Sequence, residues 1–451
     1  MNTYDSQVAV GILEKEGFEV IPEPETGEDS DGNPMLSEGA DVVLMNTCSV
    51  RQHAEERVWG RLGMLGKEKQ ANPHLIIGLM GCMVEEHREK IFKRFPQLDL
   101  MVGTRNIKEL PRLIREVQET RRQVARIKRD GISIEYSEFT KRDSPYHAWL
   151  PIMTGCNKVC TFCVVPMTRG SEVSMSAEDV CREARRLVAD GVKWLTLLGQ
   201  NVNSYSGHAP RTTHHESWPV ARGSWSEPFP SLLEMLCQID GLERISFTTS
   251  HPSDATEDLF RVIARNPKIS RRFHLPLQSG SDKILKRMKR LHTYAEYKAK
   301  VDRLRELVSD ISITTDIIVG FPGETEDDYQ ATKRALEELR FDGGYIYKYS
   351  VRPGTPASKL PDDVPFERKS QRNNELLAIQ RVIMGEKNKA LVGRTIAVFV
   401  EGPHPENQGE WFGRMDQDKR VIFPCEEDLS GKFVKLELVE LHNETFRGRL
   451  V

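Results

Sequence analysis

Three cysteines open the chemistry of this sequence. Cys156, Cys160 and Cys163 form C-x3-C-x2-C within TGCNKVCTFC. Three thiolates at this spacing can hold three corners of a cubane iron–sulfur cluster and leave the fourth iron open to a further ligand. Zinc is the other metal to weigh, but it takes four ligands and no fourth Cys or His lies nearby in the sequence. Cys48 and Cys82 form a second set, each closing an apolar run, DVVLMNTC and LIIGLMGC. Ligands of open α/β sheets bind beyond the carboxyl ends of the strands, so both thiols are predicted to meet at one sheet edge. The alternative is a pair of packing cysteines, since a free Cys is often a core residue. The small neighbours Asn46, Thr47, Ser49 and Gly81 favour exposed turns. Cys181, Cys237 and Cys425 read as packing residues, the first two on helices and the third in a terminal β-domain.

The elements that must position these thiols follow from periodicity. Residues 5–16 read as a helix, 18–21 as a short strand, 22–39 as a loop, 41–46 as a strand, 52–70 as a helix and 75–80 as a strand. Alternation of this kind predicts an open α/β sheet, here opening on a helix with no strand before it. Residues 111–145 read as a linker, and PRLIREVQETRRQVARIKRD carries seven Lys/Arg against three Asp/Glu. Strands follow near 149–153, 193–198, 244–249, 271–276, 312–319 and 344–349. Helices fall near 176–190, 228–239, 254–265, 294–308 and 324–339. Six strands separated by helices predict a parallel (βα)6 partial barrel of the TIM type, with the three-cysteine loop after its first strand, at the mouth where barrel active sites are built. The aperiodic, His/Ser/Trp/Pro-rich stretch 206–228 reads as a surface insertion, and a charged helix over 366–391 ends the series. The last 60 residues give five short strands with turn residues between them, a small OB-like all-β barrel. The predicted organisation is an N-terminal domain over 1–115, a linker over 116–145, a barrel over 146–382 and a terminal barrel over 383–451.

Polar residues at the predicted strand ends are candidates for ligand contacts. Gln200 and Asn201 end one strand and Gln278 another, although helix-capping loop residues would look the same. Gly320, Gly323 and Glu324 in VGFPGE close a strand and open a helix, a turn whose amides suit a carboxylate or phosphate, or an ordinary Gly/Pro turn.

Composition bounds the reading. The chain has 451 residues, enough for about three domains, and 67 acidic against 64 basic residues, a net charge of -3. That excludes a uniformly basic nucleic-acid binder but leaves room for a local basic face. Two stretches qualify: KILKRMKR (283–290), with five basic residues in eight, and 111–130. Either is a solvated face or, beside an OB-like barrel, a track for a phosphate backbone. Of the aromatics Phe399, Trp411, Phe412 and Phe423, one or two are expected at a surface where a base could stack. Eight cysteines are too few for a disulfide scaffold. Apolar runs reach about ten residues where a membrane span needs about twenty. The segment MNTYDSQ has no secretory signal pattern, so a cytoplasmic protein is expected.

The blocks GCNKVCTFCVVPMTRGSEVS, LLGQNVNSY, TTSHP, HLPLQSGSDKILKRMKR, TDIIVGFPGETEDD and YSVRPGTP, in this order, resemble the methylthiotransferase family of radical S-adenosylmethionine (SAM) enzymes over nearly the whole chain. The resemblance implies a [4Fe–4S] cluster on Cys156, Cys160 and Cys163 whose open iron is chelated by SAM, and reductive cleavage of SAM to a 5′-deoxyadenosyl radical. It places SAM contacts near Gln200 and Asn201. It implies a second [4Fe–4S] cluster at Cys48 and Cys82 together with a third cysteine, from a GCQMN-like motif that this sequence lacks. That cysteine, and the missing strand, are expected just upstream of Met1; otherwise the ligand set is incomplete and the chain binds tRNA and SAM without inserting sulfur. YSVRPGTP and VVPMTRG look closest to members acting on N6-dimethylallyladenosine at position 37 of tRNA, 3′ of the anticodon. There one SAM supplies a methyl group, and a second yields the radical that takes hydrogen from the adenine C2 position. No side chain is then needed as the main acid or base. Members acting on threonylcarbamoyl-adenosine, or on an aspartate of a ribosomal protein, are the alternatives. The implied partners are the tRNA anticodon stem-loop, an electron donor and a sulfur source, with no membrane, for a monomeric chain ending in a tRNA-binding TRAM domain.

Overall fold

A computed structural model describes residues 2–21, 27–28, 34–37, 39–47, 52–127, 140–207 and 228–451. It divides into two compact units. The first comprises Met1–Asp143, Thr154–Lys158 and Cys163–Val173; the second comprises Ser144–Met153, Val159–Phe162 and Ser174–Val451.

The first unit is built on four parallel strands in the order Val42–Thr47, Ile76–Gly81, Leu100–Val102, Val124–Arg126. Side chains alternate across a strand, and here the alternation feeds two cores. Ile76, Met80, Leu100 and Val102 pack with Val8 and Leu13 of helix Asn2–Lys15 and with Leu113 and Val117 of helix Leu110–Thr120. Ile77, Leu79 and Met101 pack on the other face with Leu62 and Leu65 of helix Gln52–Ala71. Strand Ile76–Gly81 is buried throughout, which is why it reads as an unbroken apolar run.

Two expectations are corrected here. Residues 18–21 form no strand. The Phe18 amide donates to the Leu13 carbonyl (3.0 Å) and the Gly17 amide to that of Glu14 (3.1 Å), so Phe18 closes the first helix in a Schellman motif and packs on the adjacent core. The expected linker is also folded over much of its length. Leu110, Leu113, Ile114 and Val117 make a buried stripe at helical spacing, and Val124–Arg126 adds the fourth strand. Of the basic residues that suggested a linker, Arg112 and Arg115 lie on the exposed side of this helix, and Arg121 and Arg122 follow its end. Residues 128–139 lie outside the described residues.

In the second unit all six expected barrel strands are present. His147–Pro151, Trp194–Leu198 and Arg244–Phe247 pair in parallel, as do Arg272–His274, Ser312–Val319 and Gly343–Lys348. A parallel bridge between Ile245 and Ile269 joins the two sets. The expected insertion, 206–228, lies mostly outside the described residues. Helix Phe366–Lys389 runs without a break through the boundary expected at 382–383. Beyond it, five strands close a barrel at Thr395–Pro403, Glu410–Met415, Arg420–Pro424, Phe433–His442 and Thr445–Leu450. Phe399 and Phe423 are fully buried, while Trp411 and Phe412 are half-buried, with the Arg420 guanidinium 4.8 Å from the Phe412 ring centre. No described helix is long and apolar enough to cross a membrane.

The terminal barrel docks on the N-terminal ends of the large barrel's strands. Its 416–418 turn supplies Asp416 to Arg244 (2.8 Å), Asp418 to Arg272, and the Asp416 carbonyl to the Ser270 hydroxyl (2.5 Å). Arg244 is 2% exposed. Its guanidinium lies 5.1 Å from the Trp194 ring, 4.8 Å from Phe433 and 5.9 Å from Phe399.

His147 sits beside this junction against Trp149 and Trp194, with Nε2 2.9 Å from the Thr196 hydroxyl. Burial, and then the charge of Arg414, lower its pKa to about 4. A histidine whose folded pKa is depressed contributes stability that is fully present above its unfolded value near 6.5 and is lost as pH falls toward the folded one. Stability is therefore expected to fall between pH 6.5 and about 4, with His147 contributing about 1.4 kcal/mol per pH unit. Urea unfolding at several pH values checks this; His147→Gln should flatten the slope by that amount.

Candidate functional site

The two cysteine sets share one local device: a left-handed glycine that pins the backbone before a thiol. Gly155 has φ +75°, and a Cβ there would lie 2.0 Å from the Ser171 carbonyl oxygen and 2.7 Å from that of Gly170. The Cys156 amide donates to the Gly170 carbonyl (3.1 Å). Gly81 has φ +100°, and a Cβ there would meet the Thr47 carbonyl oxygen at 2.5 Å. Only glycine fits where the backbone must approach this closely at positive φ. Gly155→Ala is expected to cost about 2 kcal/mol and to lower the iron bound by reconstituted protein; thermal melts and iron analysis check both.

Strand register pairs Thr47 with Gly81, and the Thr47 hydroxyl donates to the Met80 carbonyl (2.8 Å). The strands that precede the two cysteines in sequence thus end side by side, at Thr47 and Gly81. Cys48 itself lies outside the described residues. Cys82 begins the short helix Cys82–His87 and is buried, not exposed as its small neighbours suggested. The helix fills the space that an open turn would have left to solvent. Arg169, from the VVPMTRG block, is buried in the same unit, with Nη2 2.6 Å from Asp5 Oδ2. Burial works against its charge, but Asp5 and the Cys82 thiol outweigh it and raise the guanidinium pKa.

Cys156, Cys160 and Cys163 are partly exposed, and no disulfide joins any of the seven described cysteines. Each sulfur of the motif accepts a hydrogen bond. Cys156 accepts from the Lys158 amide (3.4 Å) and Cys163 from the Val165 amide (3.5 Å). Cys160 accepts from Arg290 Nη1 (3.4 Å). Sulfurs held by N–H donors are suited to thiolate ligation of a cluster, where such bonds stabilise the negative charge. By contrast Cys181 and Cys237 are buried and Cys425 packs at the edge of the terminal core, as expected of packing residues. Burial raises the Cys181 thiol pKa and pushes that of Cys237 up to about 11.

The polar candidates gather at the C-terminal ends of the barrel strands. Asn201 is 2% exposed; its Nδ2 donates to Asp254 (2.7 Å), while its Oδ1 has no partner among the described residues. Gln278 adopts φ +73°, its amide donates to the Asp316 carbonyl (2.8 Å), and its Oε1 is likewise without a partner among the described residues. The same holds for the Ser250 hydroxyl and both ring nitrogens of His292. Burial lowers the His292 pKa to about 4, so its imidazole is neutral. Buried polar atoms left open are costly, and this set fits a polar ligand such as SAM. Gln200 is half-buried beside Asn201.

Glu324 is placed differently. Its carboxylate accepts from the Gly320 amide (2.8 Å) and from Arg372 (2.7 Å), so it holds the VGFPGE turn rather than presenting a free carboxylate. Burial raises its pKa, against these two donors.

Ser250, within the block TTSHP, and His292, just beyond KILKRMKR, were not among the sequence candidates. The stretch KILKRMKR, expected as one face, is divided. Lys283 pairs with Asp328 (2.7 Å), Arg287 donates to the Pro322 carbonyl (3.0 Å), and Arg290 turns inward. Only Lys286 and Lys289 remain exposed without a described internal bond.

The partial barrel and its cysteine loop define the class: the Radical SAM superfamily model matches residues 150–336. The model described as Uncharacterized protein family UPF0004 matches 1–103, and the TRAM domain model matches 389–451. Curated relatives span the full length. A tRNA-2-methylthio-N(6)-dimethylallyladenosine synthase of Dictyoglomus thermophilum is 40% identical over 100% of this chain and 96% of its own. One of Pelotomaculum thermopropionicum is 42% identical over 96% and 92%. The radical SAM methyltransferase TsrM of Kitasatospora setae shares the fold at a TM-score of 0.52 and 16% identity, covering 79% of this chain and 72% of its own. The chain belongs to the methylthiotransferase family of radical SAM enzymes. Membership brings one [4Fe–4S] cluster and SAM as cofactors.

Proposed function

We propose that this chain converts N6-dimethylallyladenosine at position 37 of tRNA into its 2-methylthio derivative. The observation that carries the reading is the full-length correspondence, at about 40% identity, with relatives that bear that synthase name. Cys156, Cys160 and Cys163 would hold the cluster that binds SAM, and Gln200, Asn201, Gln278 and the Gly320–Glu324 turn would supply contacts to SAM. Cys82 and Cys48 would supply two of the ligands of a second [4Fe–4S] cluster, which needs a third to complete the set, and the Arg169 charge near Cys82 would offset that of the bound thiolate. When bound, the two clusters and SAM supply the radical, the sulfur and the methyl group. The chain's own residues bind, orient and exclude water, which is the usual division between cofactor and protein.

The tRNA anticodon stem-loop is the substrate, and the terminal barrel its second contact, with Trp411 and the Phe412–Arg420 pair as half-buried surfaces on which a base can stack. Lys286 and Lys289 remain for phosphate. The chain works as a monomer in the cytoplasm, with an external electron donor and sulfur source. Nucleoside analysis of tRNA from a strain lacking the gene tests the reading. Loss of 2-methylthio-N6-dimethylallyladenosine, with accumulation of the unthiolated base, is the expected result. Unchanged levels would refute it, and loss of the threonylcarbamoyl counterpart instead would move the substrate to that alternative.

A further inference from the structure

We propose that Arg290 is a positioning residue for the radical SAM cluster: by its hydrogen bond and charge at the Cys160 sulfur it raises the potential at which that cluster accepts an electron. This rests on the reading that Cys160 is a cluster ligand.

Arg290 is 9% exposed. A buried guanidinium needs acceptors and a negative charge nearby. Its two described acceptors are the Pro276 carbonyl, 3.0 Å from Nη2, and the Cys160 sulfur, 3.4 Å from Nη1. Neither is a carboxylate, and Nε has no partner among the described residues. The negative partner that this cation lacks is what a thiolate-ligated cluster would bring.

The arrangement is fixed from both sides. Thr161, the next residue after Cys160, donates its amide to the Met288 carbonyl (3.0 Å) and its hydroxyl to that of Arg287 (3.0 Å). The segment leading to Arg290 is thus tied directly to the cysteine loop. Lys289 takes a left-handed φ of +53°, and the Arg290 amide returns to the Leu285 carbonyl (2.9 Å). A non-glycine residue is held in that region only when its surroundings over-determine it. Here the result is that the side chain of residue 290 turns inward, while Lys286 and Lys289 face solvent.

Cluster potentials depend on net charge and on hydrogen bonds to the sulfurs. Reduction adds one negative charge to the cluster, which a neighbouring guanidinium stabilises and which strengthens an N–H···S bond. Removing Arg290 should therefore make reduction harder. The electron itself comes from a low-potential one-electron donor, dithionite in the test.

The test is an anaerobic redox titration of the full-length, reconstituted protein, followed by EPR of the reduced cluster. Cys160→Ala first identifies the signal that belongs to this cluster. If Cys160→Ala leaves iron content and signal intact, the ligand reading fails, and this inference with it. If the signal is lost, Arg290→Gln decides the inference alone. The expected result is a roughly tenfold lower equilibrium constant for reduction, a shift of about 59 mV to more negative potential for one electron. Arg290→Lys keeps the charge but loses the fork, so a smaller shift of the same sign is expected. It also serves should the Gln variant fail to hold iron. A residue that merely props the Pro276 loop would change the melting temperature and leave the potential where it was; an unshifted potential in a variant with full iron content overturns the proposal.

Discussion

Cys160→Ala is expected to lower the iron content of the reconstituted protein by about four atoms per chain and to abolish methylthiolation, with the fold intact. The sulfur is partly exposed, so its removal opens no fully enclosed cavity. Thr161 keeps its bonds to the 287–288 backbone, so the loop stays tied down. On the proposed assignment, what is lost is one of three ligands to a cubane, and two thiolates do not replace three. Cys181→Ala is the matched control. That thiol is 2% exposed, on helix Ala177–Ala189, and its loss should cost about 1 kcal/mol of packing but no iron. Iron analysis with circular dichroism separates the two variants. Full iron in Cys160→Ala, or four atoms lost in Cys181→Ala, would overturn the assignment.

Arg244→Ala is expected to destabilise the chain by about 3 kcal/mol, the lower part of the range for breaking a buried ion pair. Its guanidinium is enclosed by three rings, bonds Asp416 (2.8 Å) and donates to the Arg414 carbonyl (3.1 Å). Desolvated cation–π contacts contribute about 2 kcal/mol, and truncation also leaves a void among large side chains. Asp416 is one-third exposed and can rehydrate, which keeps the cost below the top of that range. Arg244→Met separates charge from volume. It fills the ring-lined space and should recover most of the loss, because an apolar isostere often replaces a buried ion pair at little cost. Urea denaturation of the three proteins measures the difference; equal loss in Ala and Met variants would assign the stability to the charge instead of the packing.

Much of this was legible in the sequence because it rests on short-range periodicity. The six barrel strands and five terminal strands have alternating or unbroken apolar patterns bounded by turn residues. Their ends fell within a few positions of those observed. The thiol motif was legible because ligand spacing is local. The misreadings came where composition stood in for pattern. Basic residues over 111–130 concealed the Leu110–Val117 stripe, and the same habit merged inward-turning Arg290 with exposed Lys286 and Lys289. Phe18 looked like strand because an aromatic after a glycine is equally a helix terminator. Burial of Cys82, and the open polar atoms of Ser250 and His292, depend on contacts between distant segments, which spacing along the chain does not encode.

The docking of the terminal barrel has a consequence for length. It holds the strand starts, at Arg244, Ser270 and Arg272, while Asn201, Gln278 and Arg290 gather at the opposite ends. The strand Ser312–Val319 has eight residues, a rise of about 25 Å at about 3.3 Å each. An RNA gripped at one end with its base in the mouth at the other must reach at least that far along the flank. On the proposed two-ended contact the fold would act as a ruler, and a free nucleoside or a bare loop would be too short to be read by both ends at once.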